Sequence, residues 1–296
     1  MKEEDVNELL SKIKTLYEEG DKSNANADSS LISSKNSITR GYLAKLIYQN
    51  QLNEEENKAT KDGFLYIHDM DNMMSGSFNC CLFDMESILT NGFQMCGLNY
   101  KEPNSVLSAL QVIGDVTLSA SSQQFGGFTI AEIDKILVKY IKKSINNLEQ
   151  EQKLYGIQSE LYVTNKLKEE LAQGFQSLEM KLNSIPSSRG DFAFTTLSFG
   201  CFDGDPEDFA YQKMVIDAIL EQRMKGHGKG EPVPFPKLVM IYSKEQHETL
   251  DFYDGLMDKA IECTTKTMYP DYLAIDTVGY VSDMYRKYKK IISPMG

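Results

Sequence analysis

Asp191–Gly200 reads DFAFTTLSFG, a short aromatic and β-branched run with period-two alternation. It lies between the longest helical pattern of the chain and a well-marked helix start, so a strand here is reached and left through helices. On its amino-terminal side, Ile133, Ile136, Leu137, Tyr140, Ile141 and Ile145 recur at helical intervals; residues 130–182 parse as two long helices joined near Tyr155-Gly156. On its carboxyl-terminal side, Asp205 reads as an N-cap with Pro206 at the first helical position. Pro236–Tyr242, PKLVMIY, is a buried-strand candidate, and residues 251–267 form another helix. Strands separated by long helical segments predict an α/β architecture with largely parallel pairing.

Working outward to the amino terminus, the pattern predicts a helix from about Ser105 to Ala120. A short helix spans Met85 to Leu89, ended by Asn91-Gly92. Gly63–Asp69, GFLYIHD, fits a strand delivering His68 and Asp69 at its end. A helix begins near Thr39, a loop covers Asp21 to Ser37, and a further helix covers residues 4–18. The expected organisation is an amino-terminal helix and linker over residues 1–38, followed by one domain over residues 39–296.

Composition narrows the function. The 296 residues carry a formal charge of -12, with 41% hydrophobic and 25% charged residues, which is ordinary for a folded protein. The acidic balance argues against coating nucleic acid or an anionic membrane, because such partners need a basic face. No apolar run approaches the ~20 residues of a membrane span, and the first residues lack a signal-peptide pattern, so a cytoplasmic location is expected. Five cysteines, at 80, 81, 96, 201 and 263, lack CxxC spacing. They read as reduced thiols rather than a disulfide framework or a self-contained zinc site.

Four stretches have chemical potential. His68-Asp69-Met70-Asp71 is either a metal or phosphate site or a hydrogen-bonded surface turn. Asn79-Cys80-Cys81 is less ordinary: adjacent residues of an extended strand face opposite ways, so one thiol can face a cavity while the other packs into the wall. Buried structural cysteine is the alternative. Gln123-Gln124-Phe125-Gly126-Gly127 reads as a tight turn between helices whose glycines permit close backbone approach. Gly226–Lys237, GHGKGEPVPFPK, is a rigid connection or a phosphate loop without P-loop spacing.

Read together, YIHDMD, NCCLFDMESILTNGF, PNSV, SSQQFGGFTIAEIDKIL, FAFTTLSFG, PVPFPKLVM, MYPDYL and the closing SPMG occur in the order found in one family. From about residue 20 to residue 296 the chain resembles the amino-terminal part of the anaerobic, class III ribonucleoside-triphosphate reductases, which are glycyl-radical enzymes. The resemblance implies the first half of a ten-stranded α/β barrel, with long helices at a dimer interface. It also implies reduction of ribonucleoside triphosphates to deoxyribonucleotides by thiyl and glycyl radical chemistry, with formate as reductant.

In the family, SPMG leads into the cysteine that becomes the thiyl radical, and Ser293–Gly296 stops one residue before it. The expectation is therefore a split reductase whose carboxyl-terminal half supplies that cysteine, the glycyl radical and a structural zinc. No cofactor or metal is implied for this portion alone. A radical-SAM activase is the implied further partner, and the amino-terminal segment is too short for the ATP-binding cone of many members.

By resemblance, Cys80 is the hydrogen donor on the opposite face of the sugar. His68, Asp69, Asn79, Gln123, Gly126 and Gly127 bind or shape the substrate pocket. Glu102, Asn104, Asp115 and Asn147 mark a deoxynucleotide effector site at the homodimer interface. The chain departs from the family at Gln123, often a histidine, and at Asp191, usually a glutamine. A non-catalytic nucleotide-binding or dimerisation fragment is the alternative. A pyruvate formate-lyase-like enzyme shares the barrel but not the surroundings of Asn79-Cys80-Cys81.

Overall fold

The computed structural model describes residues 3–20, 30–68, 78–95, 97–124, 126–187, 190–227 and 233–291. Asp69 to Asp71, Cys96, Phe125, the middle of the Gly226–Lys237 connection, residues 21–29 of the linker and the closing Ser293–Gly296 lie outside them. The helices are α1 (Glu3–Glu19), α2 (Ile32–Gln49), α3 (Glu54–Lys61), α4 (Met85–Asn91), α5 (Val106–Ser121) and α6 (Ile133–Leu154). They continue with α7 (Tyr162–Ser184), α8 (Phe209–Lys225), α9 (Lys244–Thr249), α10 (Tyr253–Thr267) and α11 (Tyr280–Tyr288).

The strands are β1 (Cys81–Leu82), β2 (Phe93–Met95), β3 (Leu98–Tyr100), β4 (Phe128–Ile130), β5 (Thr195–Phe199), β6 (Lys237–Tyr242) and β7 (Asp271–Ala274). β2 and β3 pair as a separate antiparallel hairpin. The other five form one sheet in the order β1-β4-β5-β6-β7, every neighbour parallel. Among the described residues the order never reverses and shows no switch point of the doubly wound kind; the strands wind in one direction, as in a barrel.

Alternate strand residues divide the two faces. Phe128, Ile130, Leu197, Phe199, Leu238 and Met240 join Leu110, Leu137, Leu171, Ile216 and Leu256 of the crossing helices in the main core. On the other face Val239 and Ile241 meet Cys201, Ile275 and Ile291, with Val281 and Tyr285 of α11 against them. β5 is buried along its whole length, as a parallel strand covered on both sides must be. α5 and α7 approach closely through Gly174, where an added Cβ would stand 2.4 Å from Leu110 Cδ1.

Two buried polar groups tie elements together. Arg223 of α8 is 0% exposed. Its Nε donates to Glu179 Oε1 of α7 at 2.8 Å, its Nη2 donates to Pro236 O at 2.5 Å, and His227 Nε2 lies 3.1 Å from the other Glu179 oxygen. Asn183 completes the joint, accepting from Phe235 N–H at 3.1 Å and donating to Phe235 O at 2.6 Å. The second group is Asp134, in the first turn of α6, whose Oδ2 accepts from Gly200 N–H and Gln212 Nε2, each at 3.2 Å.

The other oxygen of Asp134 has no partner among the described residues, and burial pushes the carboxyl up to about 7. Because the folded pKa exceeds the ordinary carboxylate value, this group favours folding most at low pH, and that contribution is lost as pH rises from about 4 to about 7. Asp134→Asn keeps the accepting oxygen and removes the charge. Chemical denaturation at a series of pH values should show a flatter profile for the variant and a gain on the order of 4 kcal/mol above pH 7, at ~1.4 kcal/mol for each pKa unit. An unchanged profile would contradict this account.

The structure departs from the sequence reading in three places. Gly63–His68 forms no strand: the N–H groups of Phe64 and Leu65 both donate to Ala59 O, at 2.9 and 3.0 Å. The chain thus spends those donors closing α3, and Phe64 and Tyr66 are left 87% and 82% exposed. α2 begins at Ile32, seven residues before Thr39, because the small Ser34 is buried against Gly190 and tertiary packing overrides a weak local preference. The turn at Gln123–Gly127 leads from α5 into β4, not into another helix.

Candidate active site

β1 and β4 begin side by side, and the residues leading into them form a polar cradle. Phe78 and Gln124 form an isolated parallel bridge; Gly126 N–H donates to Asn79 O at 2.6 Å, and Cys81 N–H donates to Gly127 O at 2.9 Å. Into this frame Cys80 turns its sulfur. Its Sγ accepts from Gly127 N–H at 3.2 Å, and its S–H donates to Asn79 Oδ1 at 3.3 Å. Gly126 leaves no room for a side chain: a Cβ there would lie 2.1 Å from Asn79 Oδ1, 2.4 Å from Asn79 O and 2.6 Å from Cys80 Sγ.

The neighbouring cysteines separate as strand geometry requires. Cys81 packs against the main core. Burial pushes its thiol up, the adjacent Cys80 adds to this, and a hydrogen bond with Gln124 partly offsets both. Cys201 and Cys263 are wholly buried, and burial pushes the Cys201 thiol up to about 12. Cys80 is only partly buried and sits among polar neighbours, so its S–H is within reach of a bound molecule.

Of the residues expected in the pocket, Asn79, Cys80, Gly126 and Gly127 come together. Gln123 is exposed and donates to Ser122 Oγ at 3.4 Å. It is the adjacent Gln124 whose amide enters the cradle, donating to Gly126 O at 3.1 Å and Gly127 O at 2.9 Å. His68 lies on the exposed segment after α3 with its ring edge-on to Tyr66, centroids 6.2 Å apart. Asp69 falls outside the described residues.

A second cluster gathers where α6 passes the chain before α5. Glu102 Oε1 meets Lys139 Nζ at 2.6 Å and Lys143 Nζ at 3.0 Å; these hydrogen bonds, with Lys139 first, hold the carboxyl below its usual range. Lys143 also donates to Pro103 O at 3.0 Å, and Asn147 Nδ2 donates to Asn104 O at 2.8 Å. Glu102, Asn104 and Asn147 are therefore one assembly. Asp115, two and a half turns along α5, pairs with Lys181 of α7 at 2.5 Å instead. Lys139 and Lys143 were not among the four positions marked from the sequence, and their i, i+4 spacing on α6 was the available signal.

A third cluster lies beyond the carboxyl ends of β4 and β5. Glu132, Cys201 and Asp203 place ligand atoms within 4.8 Å of one another, a spacing that suits a metal ion. The Lys135 ammonium already forms ion pairs with both carboxylates, and Tyr285 OH donates to Asp203 at 2.7 Å. Burial works against the charge on Lys135, but the acidic groups around it prevail and its pKa is raised.

A family model described as anaerobic ribonucleoside-triphosphate reductase matches residues 23–296. The anaerobic ribonucleoside-triphosphate reductase of Enterobacteria phage T4 is 32% identical over 256 residues, covering 85% of this chain and 41% of that protein. The protein of that name from Escherichia coli is 31% identical over 278 residues, covering 92% of this chain and 38% of the other. This chain thus spans about two fifths of the length of these curated relatives.

Among solved structures, the anaerobic ribonucleotide reductase from Thermotoga maritima with glycerol in the active site superposes with a TM-score of 0.59 at 15% identity, over 91% of this chain and 46% of that one. The same enzyme in complex with dATP and CTP gives 0.55 at 15% identity, over 93% and 50%. At that identity the likeness carries the fold, and it accords with five parallel strands as part of the reductase barrel. With a family match across nearly its whole length and relatives above 30% identity, the chain belongs to the anaerobic ribonucleoside-triphosphate reductase family.

Proposed function

We propose that this chain is the amino-terminal half-barrel of an anaerobic ribonucleoside-triphosphate reductase and that Cys80 is its hydrogen donor to the ribose. The observation that carries the reading is the orientation of the two thiols: Cys81 is turned into the core, and Cys80 is held by Asn79 and Gly127 where a sugar could reach it. Removal of the ribose 3′ hydrogen falls to a radical cysteine in the part of the family's chain that this stretch does not span, as do the glycyl radical and a structural zinc. After the 2′ hydroxyl departs as water, the Cys80 S–H bond breaks and a C–H bond forms at the 2′ carbon. Formate gives its hydrogen atom to the Cys80 thiyl and so re-forms the S–H bond; the carbon dioxide radical anion left behind passes its electron, with a proton, to the 3′ ketone and departs as carbon dioxide, and the radical cysteine returns its hydrogen to the 3′ carbon.

Asn79 positions that S–H, and Gly126 and Gly127 let the backbone lie close to substrate. His68, Asp69 and Gln123 belong to the same reading as outer pocket residues. A radical-SAM activase and a homodimer complete it, in the cytoplasm; no helix among the described residues is long and apolar enough to cross a membrane. The test is anoxic reconstitution of this chain with the remainder of a family chain, the activase, formate and a ribonucleoside triphosphate. Deoxynucleotide formation that requires this chain supports the reading. Nucleotide binding without product would leave a binding fragment in its place.

The Glu102, Asn104 and Asn147 assembly is read as the deoxynucleotide effector site. A Thermotoga maritima relative is described with dATP in its specificity site. Lys139 and Lys143 are the cations here that could leave a carboxylate for a triphosphate, since a lysine ammonium serves as a point-charge phosphate binder. Replacing both with alanine should weaken dATP binding at least about tenfold, roughly 1.4 kcal/mol, without changing affinity for ribonucleotide substrate. Equal dATP affinity in calorimetry would remove this site from the reading.

A further inference from the structure

The Gly126–Gly127 peptide has Gln124 on one side and Cys80 on the other. Gly126 O accepts from Gln124 Nε2 at 3.1 Å, and Gly127 N–H donates to Cys80 Sγ at 3.2 Å. These two groups belong to one peptide plane, and in a trans peptide they point in opposite directions. Fixing the carbonyl therefore aims the N–H. Between two glycines such a plane rotates with little steric resistance, because neither residue has a Cβ to oppose it.

The same Nε2 also donates to Gly127 O at 2.9 Å, an oxygen of the next peptide, so Gln124 pins the planes on both sides of Gly127. The side chain is 5% exposed, so water does not compete freely for these bonds. We infer that Gln124 is a positioning residue that locks the Gly126–Gly127 peptide with its N–H on the Cys80 sulfur. Without the lock the plane turns, the sulfur loses its donor, and the S–H loses the orientation that Asn79 and Gly127 together impose. The lock is a property of this chain; its consequence for turnover rests on the proposed role of Cys80.

Gln124→Met keeps much of the shape and removes the donor, and Gln124→Glu sets a carboxylate against two carbonyl oxygens. In the unaltered chain, ¹⁵N-glycine labelling should show a Gly127 amide protected from hydrogen exchange; free exchange overturns the inference whether or not either variant folds. In Gln124→Met, Gly127 protection should fall and Cys80 alkylation, mapped by mass spectrometry and compared with the unaltered chain, should change by about tenfold, the equivalent of one hydrogen bond of ~1.4 kcal/mol. In reconstituted enzyme, kcat should fall by about tenfold with KM within about threefold, the pattern of a group that acts after binding. Unchanged Gly127 exchange and Cys80 alkylation in a folded variant defeat the lock. If those signals move while unaltered enzyme makes no deoxynucleotide, the lock stands and the proposed reaction fails.

Discussion

Cys80→Ala abolishes deoxynucleotide formation in reconstituted enzyme, by at least about a thousandfold or ~4 kcal/mol of barrier, while Cys81→Ala retains turnover within about tenfold. The contrast follows from geometry. Both thiols are partly buried and adjacent in sequence, but Cys81 meets the core and Cys80 meets Asn79 and Gly127. A thiol can give a hydrogen atom to a carbon radical because its S–H bond is weak. Serine at position 80 keeps a polar group there but has an O–H bond too strong for the step, so Cys80→Ser should be as inactive as alanine.

Gly126→Ala reaches the same end by another route, because its new methyl collides with the backbone oxygen of Asn79 as well as with the Cys80 sulfur. The measurement is product formation by chromatography under anoxia. Equal loss in the Cys80 and Cys81 variants would mean that the two thiols are not distinguished as described.

The second large effect concerns stability. Glu179→Leu leaves the Arg223 guanidinium buried without its carboxylate, and Arg223→Leu leaves Glu179, among the described residues, with His227 as its one ion-pair partner. Breaking one side of a buried pair costs about 3–5 kcal/mol, because the surviving charge stays out of water uncompensated. Replacing both partners with leucine should cost clearly less than the two single changes added together. Arg223 also donates to Pro236 O, so the Arg223 change should loosen the start of β6 as well. Urea unfolding of the three variants measures this, and additive costs would show that the two side chains do not act as a pair.

The fold was legible where local rules decide it. Asp205 and Pro206 mark the start that leads into α8, Gly92 stops α4, and β5 and β6 stand out as apolar runs. β4 and β7 were not, being three and four residues long with too few positions to display a period. GFLYIHD has strand composition but no neighbour to pair with among the described residues, and composition cannot reveal a missing neighbour.

The site divides in the same way. Opposite orientation of Cys80 and Cys81 follows from strand geometry alone. That Gln124 rather than Gln123 enters the cradle depends on β1 lying beside β4, a contact between segments more than forty residues apart.

α5 runs from one cluster to the other. The Glu102–Asn104 segment feeds its first turn, where Val106 N–H donates to Ser144 Oγ of α6 at 2.9 Å, and its last turn runs directly into Gln124 and the two glycines. At 16 residues it is a strut of ~24 Å, held in its second turn where Gly174 admits Leu110 and at its middle where Gly114 lies against Lys181 and Leu178 of α7. A short rod gripped at its waist is poorly able to bend, so a tilt imposed at the Glu102 end must reappear as a tilt at the thiol.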